Sequence, residues 1–301
     1  MNPRHQRAIT ILGLAGLLAL PGCMGPKGPP KPPGPPRQMN EIIDAVEANT
    51  QLLNQALWSN NASISARFVD DKGKRHSYNL DGNLLFQSPR NLRLDLRPGL
   101  GNQVMQIGSN ADDFWIWIEP EAKTMWWGRY RNVGQPCARR ITVRPDQLVA
   151  ALGLGGLPAP GDGLIGPELK SSRTMDVLSY VRGRPGEGEG SPGGGSPLAR
   201  EYQIDRSPPY LIRGVQFHDE RGHVVTRSTL DDYRQAWAGG PWVARKIRIE
   251  WPAEDGRFEM SIRSFTAMPP DKVSSTAFDR PWGERMPRGI NEVIQVDAEC
   301  D

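Results

Sequence analysis

The chain has 301 residues, 37 of them basic and 34 acidic. That near balance gives no electrostatic footprint for nucleic acid. No stretch after Cys23 is long and apolar enough to form a transmembrane helix.

The amino terminus, MNPRHQRAITILGLAGLLALPGC, starts positive with Arg4 and Arg7 and contains no acid before Glu41. Ala8 to Leu20 is an apolar run too short to span a bilayer but of the length of a signal-peptide core. It ends in Leu20-Pro21-Gly22-Cys23, which resembles a bacterial lipobox, with Pro21 an uncommon residue there. Residues 1–22 are therefore expected to be a leader and Cys23 the lipidated first residue of the mature chain. The other reading is an ordinary signal peptide beside a chance cysteine. Two or more acyl chains on Cys23 would give lasting attachment where one is marginal. Met24 follows the cysteine, not Asp, so the lipobox likeness implies an outer-membrane, periplasm-facing, lipid-anchored protein. Losing Arg4 and Arg7 with the leader leaves 35 basic against 34 acidic residues. The remaining chain, roughly 280 residues, is long enough for one large or two small domains.

Residues 23–39 hold the cysteine and a proline-rich tether, which favours polyproline II and could extend roughly 40 Å at ~3.1 Å per residue. A single domain is expected over 40–301. It begins with a helix signal: Asn40 can cap it, and Ile42, Ile43, Val46, Leu52, Leu53, Ala56 and Leu57 recur at helical spacing. Strands follow. Ile64, Ala66 and Phe68 alternate with polar residues, as do Leu92, Leu94 and Leu96, then Ile247, Ile249 and Trp251, then Phe258, Met260 and Ile262. Turn chemistry such as Asp70-Asp71-Lys72-Gly73 and Asp219-Glu220-Arg221-Gly222 joins such runs, predicting an antiparallel sheet with one apolar face. Pro145 to Leu154 reads as a second helix. Residues 183–197, GRPGEGEGSPGGGSP, cannot pack a core and read as a disordered loop. No internal repeat is present.

The nine tryptophans include Trp115, Trp117, Trp126, Trp127, Trp242 and Trp251. They fit ordinary core packing, or a curved sheet whose concave face forms an apolar cavity for lipid tails. Within PGLG (98–101), Leu100 occupies a turn tip, where Asn, Asp, Ser or Gly are usual. Catalytic signatures are missing. GDGLIG (161–166) matches G-x-G-x-x-G but follows a proline-rich turn and not a strand. His218 and His223 flank a turn with Asp219 and Glu220, where a solvated turn is a simpler reading than a metal site. Asp112-Asp113 and Asp231-Asp232 are neighbours that point to opposite faces of a strand. No metal, cofactor or catalytic residue is expected. Cys137 and Cys300 remain once Cys23 is lipidated, and an oxidising compartment permits a disulfide between them or two free thiols.

From Asn61 to about Trp282 the sequence resembles the LolA/LolB family of lipoprotein-sorting proteins. GNLLFQSPRNLRLDL (82–96), QIGSNADDFWIWIEPEAKTMWW (106–127), LDDYRQ (230–235) and PWVARKIRIEW (241–251) carry the likeness. The resemblance implies an α+β, mainly β fold: a strongly curved antiparallel sheet forming an incomplete half barrel, closed by helices, whose cavity receives acyl chains. Cavity-lining candidates are Leu92, Leu94, Leu96, Trp115, Trp117, Trp126 and Trp251. The lipobox, the tether and PGLG favour the membrane-anchored receptor branch, whose Pro-Leu-Gly loop projects a leucine toward membrane or cargo. Leu100 matches that leucine, with Gly99 additional. The carrier branch's lid-locking arginine falls on Ser88, and the Gly-rich insertion and the segment after Trp282 also depart from the compact receptor.

The function implied is binding of acyl chains or lipoproteins, in localising lipoproteins to the outer membrane, without catalysis. Implied partners are membrane lipid or lipoprotein acyl chains and a periplasmic LolA-like carrier, with the protein a monomer. Two alternatives stay open: a carrier of glycolipid or another free lipid, and a protein-binding module that senses or braces the envelope.

Overall fold

The computed structural model describes residues 35, 37–69, 73–119, 122–133, 135, 137–138, 145–159, 163–183 and 198–300. The leader, Cys23, nearly all of the tether, the turn residues 70–72 and the Gly-rich stretch 184–197 lie outside the described residues. In chain order the elements are α1 (Met39–Gln51), β1 (Ala56–Val69), β2 (Arg75–Gln87), β3 (Asn91–Arg97), β4 (Met105–Ser109), β5 (Asp113–Ile118) and β6 (Thr124–Arg129). Then come α2 (Pro145–Ala151), β7 (Leu164–Ser171), β8 (Met175–Arg182), β9 (Leu198–Asp205), β10 (Ile212–His218) and β11 (Val224–Gln235). The series ends with β12 (Trp242–Trp251), β13 (Gly256–Ile262), β14 (Thr266–Met268) and β15 (Glu292–Gln295).

All fifteen strands join one open sheet, in the order β15-β6-β5-β4-β3-β2-β1-β13-β12-β11-β10-β9-β8-β7, with β14 added to the start of β1. Only β15 runs parallel to its neighbour, β6; every other pairing is antiparallel. Register follows the apolar alternation, because slipping one residue would turn every buried side chain outward. Leu84, Leu94, Ile107, Ile116 and Trp126 face one another in a single row across β2 to β6. Leu92, Leu94 and Leu96 are completely buried in the core.

The sheet curves, and α2 shows by how much. This helix contacts β4 and β5 on one side and β10 and β11 on the other. From β4 to β11 is six steps in strand order, or roughly 29 Å on a flat sheet at ~4.8 Å per step. A helix is only ~10 Å wide, so the strands must wrap around it. Leu148, Val149 and Leu152 of the α2 segment are buried in the same core as Leu94, Ile249 and Val215.

The first helix is shorter than its apolar spacing predicts. It starts at Met39, not after Asn40, with the Glu41 carboxylate accepting the Gln38 N–H at 3.2 Å. It stops at Gln51, because Ala56 and Leu57 pair with β14 and β2 as the start of β1. The Asn49 side chain brackets Trp242, accepting its N–H (2.7 Å) and donating to its carbonyl (3.0 Å). Arg37 stacks on Tyr210, 3.6 Å from the ring centroid. Both partners lie where β9–β10 and β11–β12 connect, so α1 sits at that end of the sheet. The β1–β2, β3–β4, β10–β11 and β12–β13 connections lie at the opposite end.

The segment after β14 crosses the outer face of β4–β6. Phe278 and Val296 are buried, and Arg280 stacks 3.4 Å above Trp127. Asp297, 1% exposed, accepts the Arg129 N–H (3.0 Å) and the Asn132 amide (2.7 Å). A disulfide joins Cys137 to Cys300 across 163 positions. Cross-linking so long a loop stabilises by about 2–5 kcal/mol in the chain-entropy account. Cys300→Ala should therefore lower the melting temperature by several degrees and shift tryptophan emission to the red. Unchanged melting and emission would show that the segment holds without the bond.

Candidate functional site

The inner, concave face is apolar from one side of the sheet to the other. Its polar groups are satisfied locally: Thr226 donates to Gln147 of α2 at 2.7 Å, and the Val215 N–H bonds the Ser228 hydroxyl at 3.2 Å. Next to Asp232, whose φ is 50°, Tyr233 packs against the core and donates to the Ile212 carbonyl. Burial pushes the Tyr233 phenol up, and burial followed by the neighbouring Tyr202 does the same at Tyr180. Neither ring carries charge at neutral pH. Among the described residues the face offers mainly hydrocarbon contact.

Leu92, Leu94, Leu96 and Trp251 lie on this face as one core with α1 and α2, and half-buried Trp126 packs against them. Trp115 and Trp117 do not. They alternate with Ile116, so when Ile116 points inward they point outward, correcting their expected place in the cavity lining. They form a second apolar cluster with Met125 and Trp127, against which Met286 and Ile290 pack. Gly108 makes room for this: a Cβ there would lie 2.3 Å from the Trp115 indole. Trp115 Nε1 donates to Gln106 at 2.9 Å, and Gln106 donates to Asp95 at 2.7 Å. Asp113 meets Arg280 at 3.4 Å, with burial raising the carboxyl and, on the arginine, lowering the guanidinium.

Leu100 stands apart from every packed cluster. Its relative exposure is 109%, against 58% for Ile165 and Trp282. The Gly101 N–H bonds the Pro98 carbonyl at 2.7 Å, and Gly99 has φ of 46°. A positive φ at the first central position is what a type II′ turn requires, so Gly99 builds the turn and Leu100 rides on it. The tip lies at the end of the sheet away from α1.

The remaining sequence candidates do not converge. His218 is buried beside Glu201 at 3.5 Å, whereas His223 is exposed beside Asp219 at 3.6 Å. Asp231 faces Arg213 and Asp232 binds Arg245. GDGLIG leads into strand β7 and not a helix, with 161–162 outside the described residues. Among the described residues no group of three or more His, Cys, Asp or Glu side chains could hold a metal ion. No described helix is long and apolar enough to cross a membrane.

No family model and no curated protein matches the sequence. Solved structures do resemble the fold. A domain named as an outer-membrane lipoprotein-sorting protein from Vibrio parahaemolyticus is 13% identical, covering 79% of this chain and 95% of its own, with a TM-score of 0.47. A LolA superfamily protein from Nitrosomonas europaea is 11% identical over 81% of this chain and 99% of its own, TM-score 0.47. A DUF1329 family protein from Desulfovibrio piger is 14% identical over 80% and 97%, TM-score 0.48.

Leu100→Glu should leave the melting temperature nearly unchanged, since the side chain touches nothing that folding buries. Leu94→Glu should prevent folding, because an unpaired carboxylate would sit in the core. Circular dichroism melts of both variants check the contrast; a loss of several degrees in Leu100→Glu contradicts it.

Proposed function

We propose that the protein is an acyl-chain-binding lipoprotein of the bacterial envelope, held through Cys23 on the outer membrane and facing the periplasm. One observation carries the reading: an apolar concave face filled by a short helix instead of an opposing sheet. Acyl chains would occupy the space of Leu148, Val149 and Leu152, with the sheet as an incomplete barrel and α2 as its displaceable filling. The helix hangs between the segments that follow β6 and precede β7, so it can move without breaking a strand pairing. The sequence resemblance over Asn61 to Trp282 supports the same reading, as does Leu100, the most exposed large apolar residue among the described residues.

Leu100 would touch the bilayer or the bound lipoprotein. Inserting one leucine yields at most about 3 kcal/mol, too little to anchor the protein. It suffices to bias an already tethered mouth toward the membrane. Cargo would arrive from a periplasmic carrier and leave downhill into lipid. No covalent step is needed.

The full chain can be irradiated with a diazirine fatty acid and the adducts mapped by mass spectrometry. Adducts should fall on the peptides of Leu92–Leu96 and Leu148–Leu154 and compete with unlabelled palmitate. Labelling confined to Trp282 and other outer residues would refute interior binding. Co-purified acylated protein identifies lipoprotein cargo, free glycolipid the carrier alternative. In vesicle transfer, Leu100→Glu should slow delivery several-fold while leaving uptake intact; wild-type delivery would remove the role assigned to Leu100.

A further inference from the structure

The end of the sheet that bears Leu100 holds a second feature, chemically unlike the inner face. A recess of about 670 Å³ opens there beside the β12–β13 connection. Arg67, Arg75, Arg227 and Arg257 line it against two carboxylates, Glu250 and Asp255. Asp255 lies in the β12–β13 connection; the others come from β1, β2, β11, β12 and β13, where register aligns four of them. Arg67 is directly opposite Arg257, Arg257 opposite Glu250, and Glu250 opposite Arg227. Directly opposed side chains are ~4.5–5.5 Å apart at Cβ, and like charges so placed destabilise a sheet.

The carboxylates answer only part of this charge. Arg257 donates to Glu250 at 2.7 Å and also meets Glu259 at 3.8 Å, and Arg75 meets Asp255 at 3.4 Å with both side chains largely exposed. Arg67 and Arg227 make no hydrogen bond or ion pair with any described residue. Arg67 and Arg227, without a partner among the described residues, thus stand on either side of the Arg257–Glu250 pair in the recess, where field lines concentrate. Phe68 and His76 form another part of the wall, stacked with centroids 5.2 Å apart. Trp251, 8% exposed, keeps its indole N–H buried without a protein acceptor.

We propose that this recess binds a phosphate ester, held by Arg67, Arg227 and Arg257. Planar guanidinium forks match phosphate oxygens in bidentate geometry, which a lysine cluster would not. The aromatic wall gives the organic part of the ester an apolar neighbour. A phospholipid headgroup and a soluble phosphate ester share this chemistry. Leu100, on the same end of the sheet, makes the headgroup the expected source. The site stands independently of whether the interior takes acyl chains.

The test is calorimetric titration of the full chain in a nonionic maltoside. The probes are monomeric dihexanoyl phosphatidylglycerol, glycerol 3-phosphate and inorganic phosphate. Phosphatidylglycerol should bind, more weakly as salt is raised, and lose at least about tenfold in affinity in Arg67→Gln/Arg227→Gln, as expected for lost charge-assisted bonds. Glu250→Gln should tighten binding, because it removes a carboxylate from the recess and leaves Arg257 only its longer contact with Glu259. Equal affinity for glycerol 3-phosphate would assign the site to soluble esters. Phosphatidylglycerol binding that the double substitution leaves unchanged belongs to the interior and overturns the recess, as does the absence of binding by all three probes. All these positions are solvent-facing, and circular dichroism verifies that the variants fold.

Discussion

Everything in this molecule depends on how a curved sheet fills its own interior. The hollow between β4 and β11 is too wide to close by side chains of the sheet alone, and the α2 segment supplies what is missing. Burying Leu148, Val149 and Leu152 gains about 1.5–3 kcal/mol each, or roughly 5–9 kcal/mol together. That is comparable with the total stability of an ordinary domain. The helix cannot simply leave. At ~0.8 kcal/mol per buried methylene, a ligand replaces it only if it brings roughly 6–11 methylenes. An ordinary fatty acyl chain exceeds that; a short-chain metabolite does not. If the interior takes acyl chains as proposed, the packing that stabilises the protein without them would therefore select long chains over short ones.

The outer face solves a different problem. Strands β5 and β6 carry apolar side chains on both sides, so a cover is needed outside as well as inside. The segment after β14 provides it through Phe278, Arg280, Met286 and Ile290, and is fixed at its far end by Asp297 and the Cys137–Cys300 bond. This divides the tryptophans into two populations. Trp126 and Trp251 belong to the interior, while Trp115, Trp117 and Trp127 belong to the covered exterior.

That division marks the limit of what the sequence makes legible. Leu92-Leu94-Leu96 and Ile247-Ile249-Trp251 alternate with charged residues, so solvent itself chooses their face. In Phe114-Trp115-Ile116-Trp117-Ile118 every residue is apolar, and period-two alternation has no polar partner to set its phase. The first helix reads too long for a related reason: the apolar residues at 52–57 continue its stripe, and only strand pairing by Ala56 and Leu57 ends it. Leu100 is legible because glycines surround it. The arginine recess is not, since its members are far apart in the chain and only cross-strand register unites them.

An open sheet, however many strands it has, keeps two edges, and here they are guarded differently. At one, β15 arrives in parallel and adds only four residues, Glu292–Gln295, a short template for any further strand. At the other, β7 is longer, but Pro167 lacks an N–H to donate, and Glu168 and Lys170 expose their charges beside it. An approaching strand from another copy would meet an interrupted ladder and a desolvation penalty. Were the apolar interior to open for cargo, as the proposed function requires, these edges would keep the protein from recruiting its neighbours into fibrils each time it opened.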